Sequence, residues 1–293
     1  MRKIVTLLLF GAFALSCTDK AYDLSQIETG DVAIGNDDSE FRMPLMTVLV
    51  PMADLSANGE DIQSIFNEAD IWLPTAATVV DLVRLDSDPT YRDQLISETV
   101  AEMHSSDTKL NAVIALSYEQ YYASFARVLG LDPAHPDPNA YAAAFGRIFS
   151  SEELAGELEA RIGEAATDYL TSIHIDPVEY TIDALGIDES VIDMLCDNLD
   201  PEGTPDARNT LYLYGSVASR LPVAMHVAPA FTPTDITFEF DVEAAHSDSV
   251  IPQTQLFGND LRQLVGGITV RIPVTLLTYY RDLGFDDTAN NQL

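Results

Sequence analysis

Two tyrosines, two residues apart, are the side chains of this sequence best suited to binding a ligand. Tyr212 and Tyr214 alternate with Leu211 and Leu213. In a strand, residues two apart project from the same face, so both tyrosine rings are predicted to lie opposite the leucines. Exposed aromatic rings can stack on sugar rings or pack against a partner strand or helix. The alternative is that these rings cover a junction between helices and sheet.

The motifs that mark the common enzyme classes are missing from the sequence. It contains no HExxH, GxSxG, Walker-type phosphate loop, GxGxxG or CxxC. The zinc peptidases, α/β-hydrolases, P-loop NTPases, dinucleotide enzymes and thiol redox proteins that carry these motifs are therefore excluded. None of the five histidines stands at metal-ligand spacing from another. We accordingly predict no catalytic residue, no metal ligand and no cofactor.

One acidic turn has part of the pattern of a calcium site. Residues 54–59 begin like an EF-hand loop, with oxygen-bearing side chains at alternating positions and a glycine in sixth place. The twelfth position is Ile65, where calcium needs a bidentate glutamate. We interpret this segment as a turn that leads into and caps a helix.

The first 17 residues have the order of features found in a secretory signal. Arg2 and Lys3 precede an apolar run over residues 4–15, and small residues then lead to Cys17. The apolar run is too short to span a bilayer comfortably. Removal of residues 1–16 takes away two basic and no acidic side chains, so the net charge changes from −32 to −34.

The tetrapeptide at residues 14–17, Ala-Leu-Ser-Cys, resembles a bacterial lipobox, with Ala14 in place of the usual leucine. The resemblance implies cleavage after Ser16 and acylation of the Cys17 sulfur, for example by palmitate. The segment that follows, up to Met43-Pro44-Leu45, resembles the openings of uncharacterised Bacteroidota-type envelope lipoproteins. This resemblance implies an outer-membrane lipoprotein, periplasmic or surface-exposed, whose contact with the membrane is the lipid on Cys17.

The charge of the chain narrows the range of partners. Its 47 acidic residues outnumber its 15 basic residues, and nucleic-acid binding depends on clustered Lys and Arg. We therefore expect no nucleic acid as a partner. An acidic surface is also repelled by anionic lipid headgroups, so attachment to a membrane should come from the lipid on Cys17 and not from a basic patch.

Hydrophobic periodicity divides the rest of the chain. Residues 17–40 are polar and acidic and are predicted to form a lipidated tether. Residues 41–200 are predicted to form a strand and then a mainly helical region, in which Ser150 and Glu153 make a capping box and Asp188 an N-cap. The predicted strands of this region cover residues 43–52 and 78–85, and its helices cover residues 61–69, 91–103, 117–131, 139–149, 150–170 and 189–199.

From Arg208 onward the hydrophobic period changes to two, with further strands at residues 236–242 and 268–280. Alternation of this kind is typical of antiparallel sheet with one solvated face. The predicted fold class is α+β: a C-terminal antiparallel β-sheet or sandwich over residues 201–293, joined by an N-terminal strand, with a largely helical middle region. We expect the two regions to pack as one unit.

Two functional hypotheses follow. The first, which we favour, is a non-enzymatic envelope lipoprotein that binds a glycan or a protein partner, with Tyr212 and Tyr214 as candidate binding residues. The second is a lipid-anchored hydrolase that acts on an extracellular polymer through carboxylates.

Overall fold

A computed structural model describes residues 49–50, 54–197, 199, 211–245, 249–285 and 291–292. These residues belong to the compact unit that runs from Leu49 to Leu293. The signal segment, Cys17, the predicted tether and most of the predicted strand 43–52 lie outside the described residues.

The described helices fill most of the chain between residues 62 and 197. They are α1 (Ile62–Trp72), α2 (Leu82–Ser87), α3 (Pro89–Met103), α4 (Asp107–Val128), α5 (Pro138–Phe149), α6 (Ala155–Leu170), α7 (Glu189–Asp197) and α8 (Gly258–Val265). Within the described part of the chain, no helix is both long enough and apolar enough to cross a membrane.

Antiparallel strands make up most of the remainder. They are β1 (Leu49–Val50), β2 (Ser56–Ala57), β3 (Glu60–Asp61), β4 (Val79–Asp81), β5 (Val178–Ile182), β6 (Leu211–Val217), β7 (Val223–Val227), β8 (Ala230–Thr232), β9 (Phe240–Val242), β10 (Ser249–Leu256), β11 (Ile268–Ile272), β12 (Val274–Tyr280) and β13 (Asn291–Gln292). This arrangement confirms the predicted α+β class with C-terminal antiparallel sheets.

Several aspartate side chains cap the N-termini of helices. Asp61, Asp88 and Asp137 are the N-caps of α1, α3 and α5, and each accepts hydrogen bonds from backbone N–H groups of the first turn. Such a cap satisfies donors that have no partner within the helix. α3 and α5 also begin with a proline, which suits the first helical position.

The helical region encloses an aromatic core. Its largest fully buried side chains include Trp72 from α1, Phe125 from α4, and Tyr141 and Phe145 from α5. α4 bends at Tyr121, whose φ of −125° is outside the helical range. The Tyr121 ring meets the edge of Trp72 at a centroid distance of 6.3 Å. Burial of these rings contributes apolar surface that holds the helices together.

Two of the sheets share one continuous two-stranded ribbon. The sheet with strand order β4-β12-β7-β9 and the sheet with strand order β5-β11-β8 are connected through β7–β8 on one side and β11–β12 on the other. The register does not change between them, because Val227 faces Val274 and, three residues along each strand, Ala230 faces Arg271. The ribbon bends where Pro273 stands opposite Ala228, which allows its strands to pass from one sheet to the other.

The N-terminal strand is described only at Leu49–Val50, which pairs with Asn291–Gln292. The predicted strand 78–85 is shorter than expected. Only Val79–Asp81 is extended, because Asp81 accepts a hydrogen bond from the Arg84 N–H and so begins α2.

Two predictions about helix ends and faces were wrong. The predicted Ser150–Glu153 capping box does not start α6, which begins at Ala155 with no side-chain cap. Asp188 does accept a hydrogen bond from the Ser190 N–H at the start of α7. The helical spacing of Val191, Ile192, Leu195 and Leu199 also predicts a buried face for that helix. This face is not buried, because Val191 and Leu195 are each 41% exposed. Periodicity predicts which residues share a helix face, but not whether a neighbour covers that face.

The segment with part of a calcium-loop pattern forms a hairpin and a helix cap. β2 and β3 are joined by Asn58 and Gly59, which both have positive φ, as a tight hairpin turn requires. The Asn58 N–H donates to Asp176 Oδ2 at 3.0 Å, and Asp61 caps α1. Among the described residues, no group of three or more His, Cys, Asp or Glu side chains could hold a metal ion.

Candidate functional site

The candidate site lies on the antiparallel ribbon formed by β6 and β10. On β6, Tyr212 is 40% exposed and Tyr214 is 50% exposed, whereas Leu211 and Leu213 are only partly exposed. The alternation of the strand therefore places both rings on its solvated face. We call this surface, formed by Tyr212, Tyr214 and Ser216 of β6 with Val250 and Gln255 of β10, the tyrosine face.

The pairing register between β6 and β10 shows which β10 residues belong to the tyrosine face. Tyr212 stands opposite Gln255, and Ser216 stands opposite Val250, and directly opposed residues of an antiparallel pair project from the same side. Val250 is 74% exposed. The surface thus combines two phenol rings, an aliphatic side chain, a hydroxyl group and an amide.

Both strands of this ribbon are uncharged. No Asp, Glu, Lys or Arg occurs in β6 (LYLYGSV) or β10 (SVIPQTQL), although charged residues make up 21% of the chain. Depletion of charge together with aromatic residues is the composition found at the centres of protein interfaces. In a chain with a net charge of −32, this ribbon is the kind of surface that can be dehydrated at low cost.

A glycine allows the two strands to pack closely. An ideal Cβ at Gly215 would lie 3.1 Å from Ile251 Cδ1, so the Ile251 side chain covers the space that a larger residue would fill. Beyond Ile251 the register shifts before pairing resumes at Thr254, and Pro252 lies within this shift. The shift is a β-bulge, a device that re-aims the side chains of a strand.

Helices α7 and α8 hold the end of the ribbon. Leu256 ends β10 and α8 begins at Gly258, whose carbonyl oxygen accepts a hydrogen bond from Cys196 Sγ of α7 at 3.1 Å. Arg262 of α8 and Asp193 of α7 form an ion pair at 2.7 Å. Burial raises the pKa of the Cys196 thiol, which disfavours the reactive thiolate.

Another tyrosine near a strand end has a structural role. Tyr279 is buried and packs on Phe66 at a centroid distance of 4.5 Å, and its hydroxyl donates to Asp70 Oδ2 at 3.2 Å. Asp70 also pairs with Arg281 Nε at 2.8 Å. Burial raises the pKa values of both Asp70 and Tyr279. These contacts join α1 to the end of β12.

A buried lysine lies beside this cluster, and sequence reasoning missed it. Lys109 of α4 is 8% exposed, and its Nζ donates to the Asp70 and Leu73 carbonyl oxygens at the end of α1. Burial lowers the pKa of Lys109 to about 8. The partners are far from Lys109 in sequence, so no local pattern could have revealed the contact. Because the ammonium group binds main-chain oxygens, we assign it the task of closing the helix end.

Four carboxylates line one groove of the helical region. This groove, of about 500 Å³, lies between α3 and α6, and its acidic lining residues are Asp93, Glu159, Glu164 and Asp168. Two of them already have cationic or polar partners: Glu159 lies 3.0 Å from His104 Nε2, and Glu164 pairs with Arg161. Asp93 and Asp168 are the groove's remaining carboxylates.

The described histidines all contact carboxylates. His226 of β7 has the closest set, with Nδ1 at 2.8 Å from Asp241 and Nε2 at 3.6 Å from Glu239. The hydrogen bond that His226 donates to Asp241 is the main cause that raises the pKa of His226. The other described pairs are His104–Glu159, His135–Asp132 and His174–Asp176.

The chain was compared with protein-family models, curated proteins and solved structures. No family model, curated protein or solved structure matches the chain.

Proposed function

We propose that this protein is a lipid-anchored lipoprotein of the bacterial cell envelope that binds a glycan or a protein partner without catalysing a reaction. The anchor is Cys17, acylated after removal of residues 1–16. The binding surface is the tyrosine face, and its exposed Tyr212 and Tyr214 rings are the observation that carries the proposal.

The chemistry of the tyrosine face supports contact with a partner. Phenol rings offer a large, stiff apolar surface and a hydroxyl group that can donate and accept hydrogen bonds. Gln255 lies directly opposite Tyr212 and brings a further donor and acceptor to the same side. With no charge on either strand, binding requires no desolvation of ions on these two strands, and desolvation of ions is expensive at an interface.

The binding test uses the chain from residue 17 to residue 293 without its lipid. We expect it to bind on a glycan array or in a pull-down from envelope extract, and we expect Tyr212→Ser with Tyr214→Ser to lose at least about tenfold in affinity. A control variant, Val83→Ser with Leu283→Ser, removes two exposed apolar side chains elsewhere. Equal binding by both variants would remove the tyrosine face from the proposal.

The anchor is tested separately by metabolic labelling with palmitate. The unchanged chain should incorporate the label and fractionate with membranes. Cys17→Ala should accumulate as an unacylated precursor that still carries residues 1–16. Incorporation of palmitate by the Cys17→Ala chain would refute the anchor assignment.

The groove between α3 and α6 supports the hydrolase as a second candidate, because it gathers four carboxylates. Hydrolysis of an envelope or extracellular polysaccharide that is lost in Asp93→Asn or Asp168→Asn would favour this candidate over a binding protein. Loss in the Tyr212→Ser, Tyr214→Ser variant alone would indicate that the tyrosine face holds the polymer.

A further inference from the structure

We propose that the groove between α4 and α5 binds a small soluble molecule that carries a quaternary ammonium group. This groove has a volume of about 440 Å³, which is within the range of small-molecule sites. It shares no lining residue with the groove between α3 and α6 or with the tyrosine face. The proposal therefore concerns a second binding site, which we call the α4–α5 groove.

One face of α4 forms a wall of the α4–α5 groove. Ile114 and Tyr118 stand four residues apart, as do Ala115 and Glu119, and this spacing places each pair along one side of the helix. Ile114 and Tyr118 are half-buried, whereas Ala115 and Glu119 are exposed. The first turn of α5 contributes Tyr141 to the opposite wall. A ligand therefore meets a mostly apolar surface that includes one carboxylate.

Two other tyrosines hold the Tyr118 ring in place. The Tyr118 centroid lies 5.2 Å from that of Tyr141 and 5.2 Å from that of Tyr122, and both contacts are edge-to-face. Tyr141 is fully buried, and its hydroxyl lies 2.8 Å from Ser117 Oγ. The Tyr122 hydroxyl donates to two carbonyl oxygens of the loop before α5. Tyr118 is thus the ring that a ligand can touch, and because it is already fixed, binding costs little conformational entropy.

The charges around the α4–α5 groove favour a cation. Glu119 is the only charged residue among the described residues that line it. Burial raises the pKa of the Tyr122 hydroxyl, and the carboxylates of Asp132 and Asp137 add to this effect, so negative potential reaches the tyrosines. The net charge of −32 concentrates cations near the chain and repels anions. The face of a phenol ring also attracts a cation.

The small number of polar groups selects the kind of cation. A primary ammonium group is strongly hydrated and has three N–H donors to satisfy, whereas the non-aromatic polar residues of the groove are Asn111 and Glu119. A quaternary ammonium group has no N–H donor. Its methyl groups can pack on Ile114 and Ala115 while its charge lies against Tyr118, which is the arrangement that aromatic sites use for such ligands.

The surroundings of the groove favour a soluble molecule over the headgroup of a lipid. Among the described residues, none of the exposed large apolar side chains belongs to α4 or α5. A site that takes a headgroup from a membrane needs apolar side chains that enter the lipid layer beside it. We therefore assign the α4–α5 groove to a free quaternary ammonium compound.

The test is a ligand-observed NMR titration of residues 17–293, without lipid, with choline as the probe. We expect a Kd on the order of 1 mM. The uncharged isostere of choline, in which carbon replaces nitrogen, should bind at least about tenfold more weakly, because it keeps the shape and loses the attraction to the ring. Tyr118→Leu should weaken choline binding about fivefold, whereas Tyr118→Phe keeps the ring and should bind within about twofold of the unchanged chain.

The contribution of Glu119 is tested with a matched pair of variants. Glu119→Gln should weaken choline binding about threefold. Glu153→Gln removes the same charge from an exposed position that does not line the groove, and it should bind like the unchanged chain. Circular dichroism should show that each variant is folded, and the Glu119→Gln comparison keeps the test usable if Tyr118→Leu unfolds.

Four results would each overturn the proposal. They are no binding at roughly 20 mM choline, equal binding of choline and its uncharged isostere, unchanged binding by folded Tyr118→Leu, and equal binding by Glu119→Gln and Glu153→Gln. Binding to phosphatidylcholine vesicles in preference to free choline would overturn the assignment to a soluble molecule. None of these results bears on the tyrosine face, whose test uses other variants and other ligands.

Discussion

Replacement of Lys109 should remove a rise in stability at alkaline pH. Lys109 is the only lysine after residue 20, so no other lysine of the folded body contributes to stability in this pH range. Burial lowers its pKa from 10.5 to about 8 in the folded chain. The hydrogen bonds that its ammonium group donates to two carbonyl oxygens at the end of α1 act against this lowering of the pKa, because they favour the charged form.

The sign follows from the two pKa values. Below pH 8, both the folded and the unfolded chain hold the proton on Lys109. Between pH 8 and 10.5 only the unfolded chain holds it, so raising the pH favours the folded state. Each pH unit in that window adds about 1.4 kcal/mol, so the contribution of Lys109 between pH 7 and pH 9 should be on the order of 1 kcal/mol.

Urea unfolding at pH 7, 8 and 9 measures this contribution, and the fluorescence of Trp72 reports it because the only tryptophan is fully buried. The unchanged chain should gain stability relative to Lys109→Met as pH rises. Lys109→Arg cannot lose its proton and should also lack the gain, which keeps the test usable if Lys109→Met unfolds. Lys20→Met serves as a control. The result that would refute this reasoning is a stability difference between the unchanged chain and Lys109→Met that does not change with pH. It would show that hydrogen bonding to the carbonyl oxygens offsets the effect of burial on the pKa of Lys109.

Three further predictions concern stability. His226→Ala should lower stability at pH 5 more than at pH 8, because the raised pKa of His226 makes its contribution present below pH 6.5 and lost as pH rises through the folded value; thermal melts at both pH values check this. Arg281→Met should cost about 2–3 kcal/mol in urea unfolding, because it removes the ion pair with Asp70 and the hydrogen bonds to the Pro74 and Ala77 carbonyl oxygens. Gly267→Ala should destabilise the fold by more than about 1 kcal/mol, because Gly267 has a φ of 98° and an added Cβ would lie 3.1 Å from a backbone nitrogen. Gly146→Ala, at a position on α5 with open space around it, should stabilise the fold by up to about 1 kcal/mol. A reversed order of the melting temperatures of the two variants would contradict both assignments.

The helix boundaries illustrate how far local patterns reach. Asp61 was predicted to open a helix and does cap α1, because the cap is made by residues three apart in the chain. The Ser150 prediction was wrong, because Ser150 Oγ donates to the Gly146 carbonyl oxygen of the preceding helix and the next helix begins only at Ala155. Local spacing allows a cap without requiring it.

At the candidate site too, the local sequence pattern predicted one part of the arrangement and not the other. Alternation in residues 211–214 predicted that Tyr212 and Tyr214 share a face, since the strand period places alternate side chains on one side. The identity of the opposing strand was not predictable, and it is this strand that brings Val250 and Gln255 beside the tyrosines. The binding role of Tyr212 and Tyr214 remains a prediction.

The sequence by itself determined where the helices between residues 61 and 199 lie, apart from the short α2, because the helix period, caps and turn residues act over a few neighbouring positions. It also determined the acidity and the pattern at Cys17. Only the tertiary structure decided which faces are covered: α7 has an apolar stripe and stays exposed, whereas Lys109 is charged and is buried. Burial depends on partners far away in the chain, such as Asp70 and Leu73 for Lys109, and no local period records them.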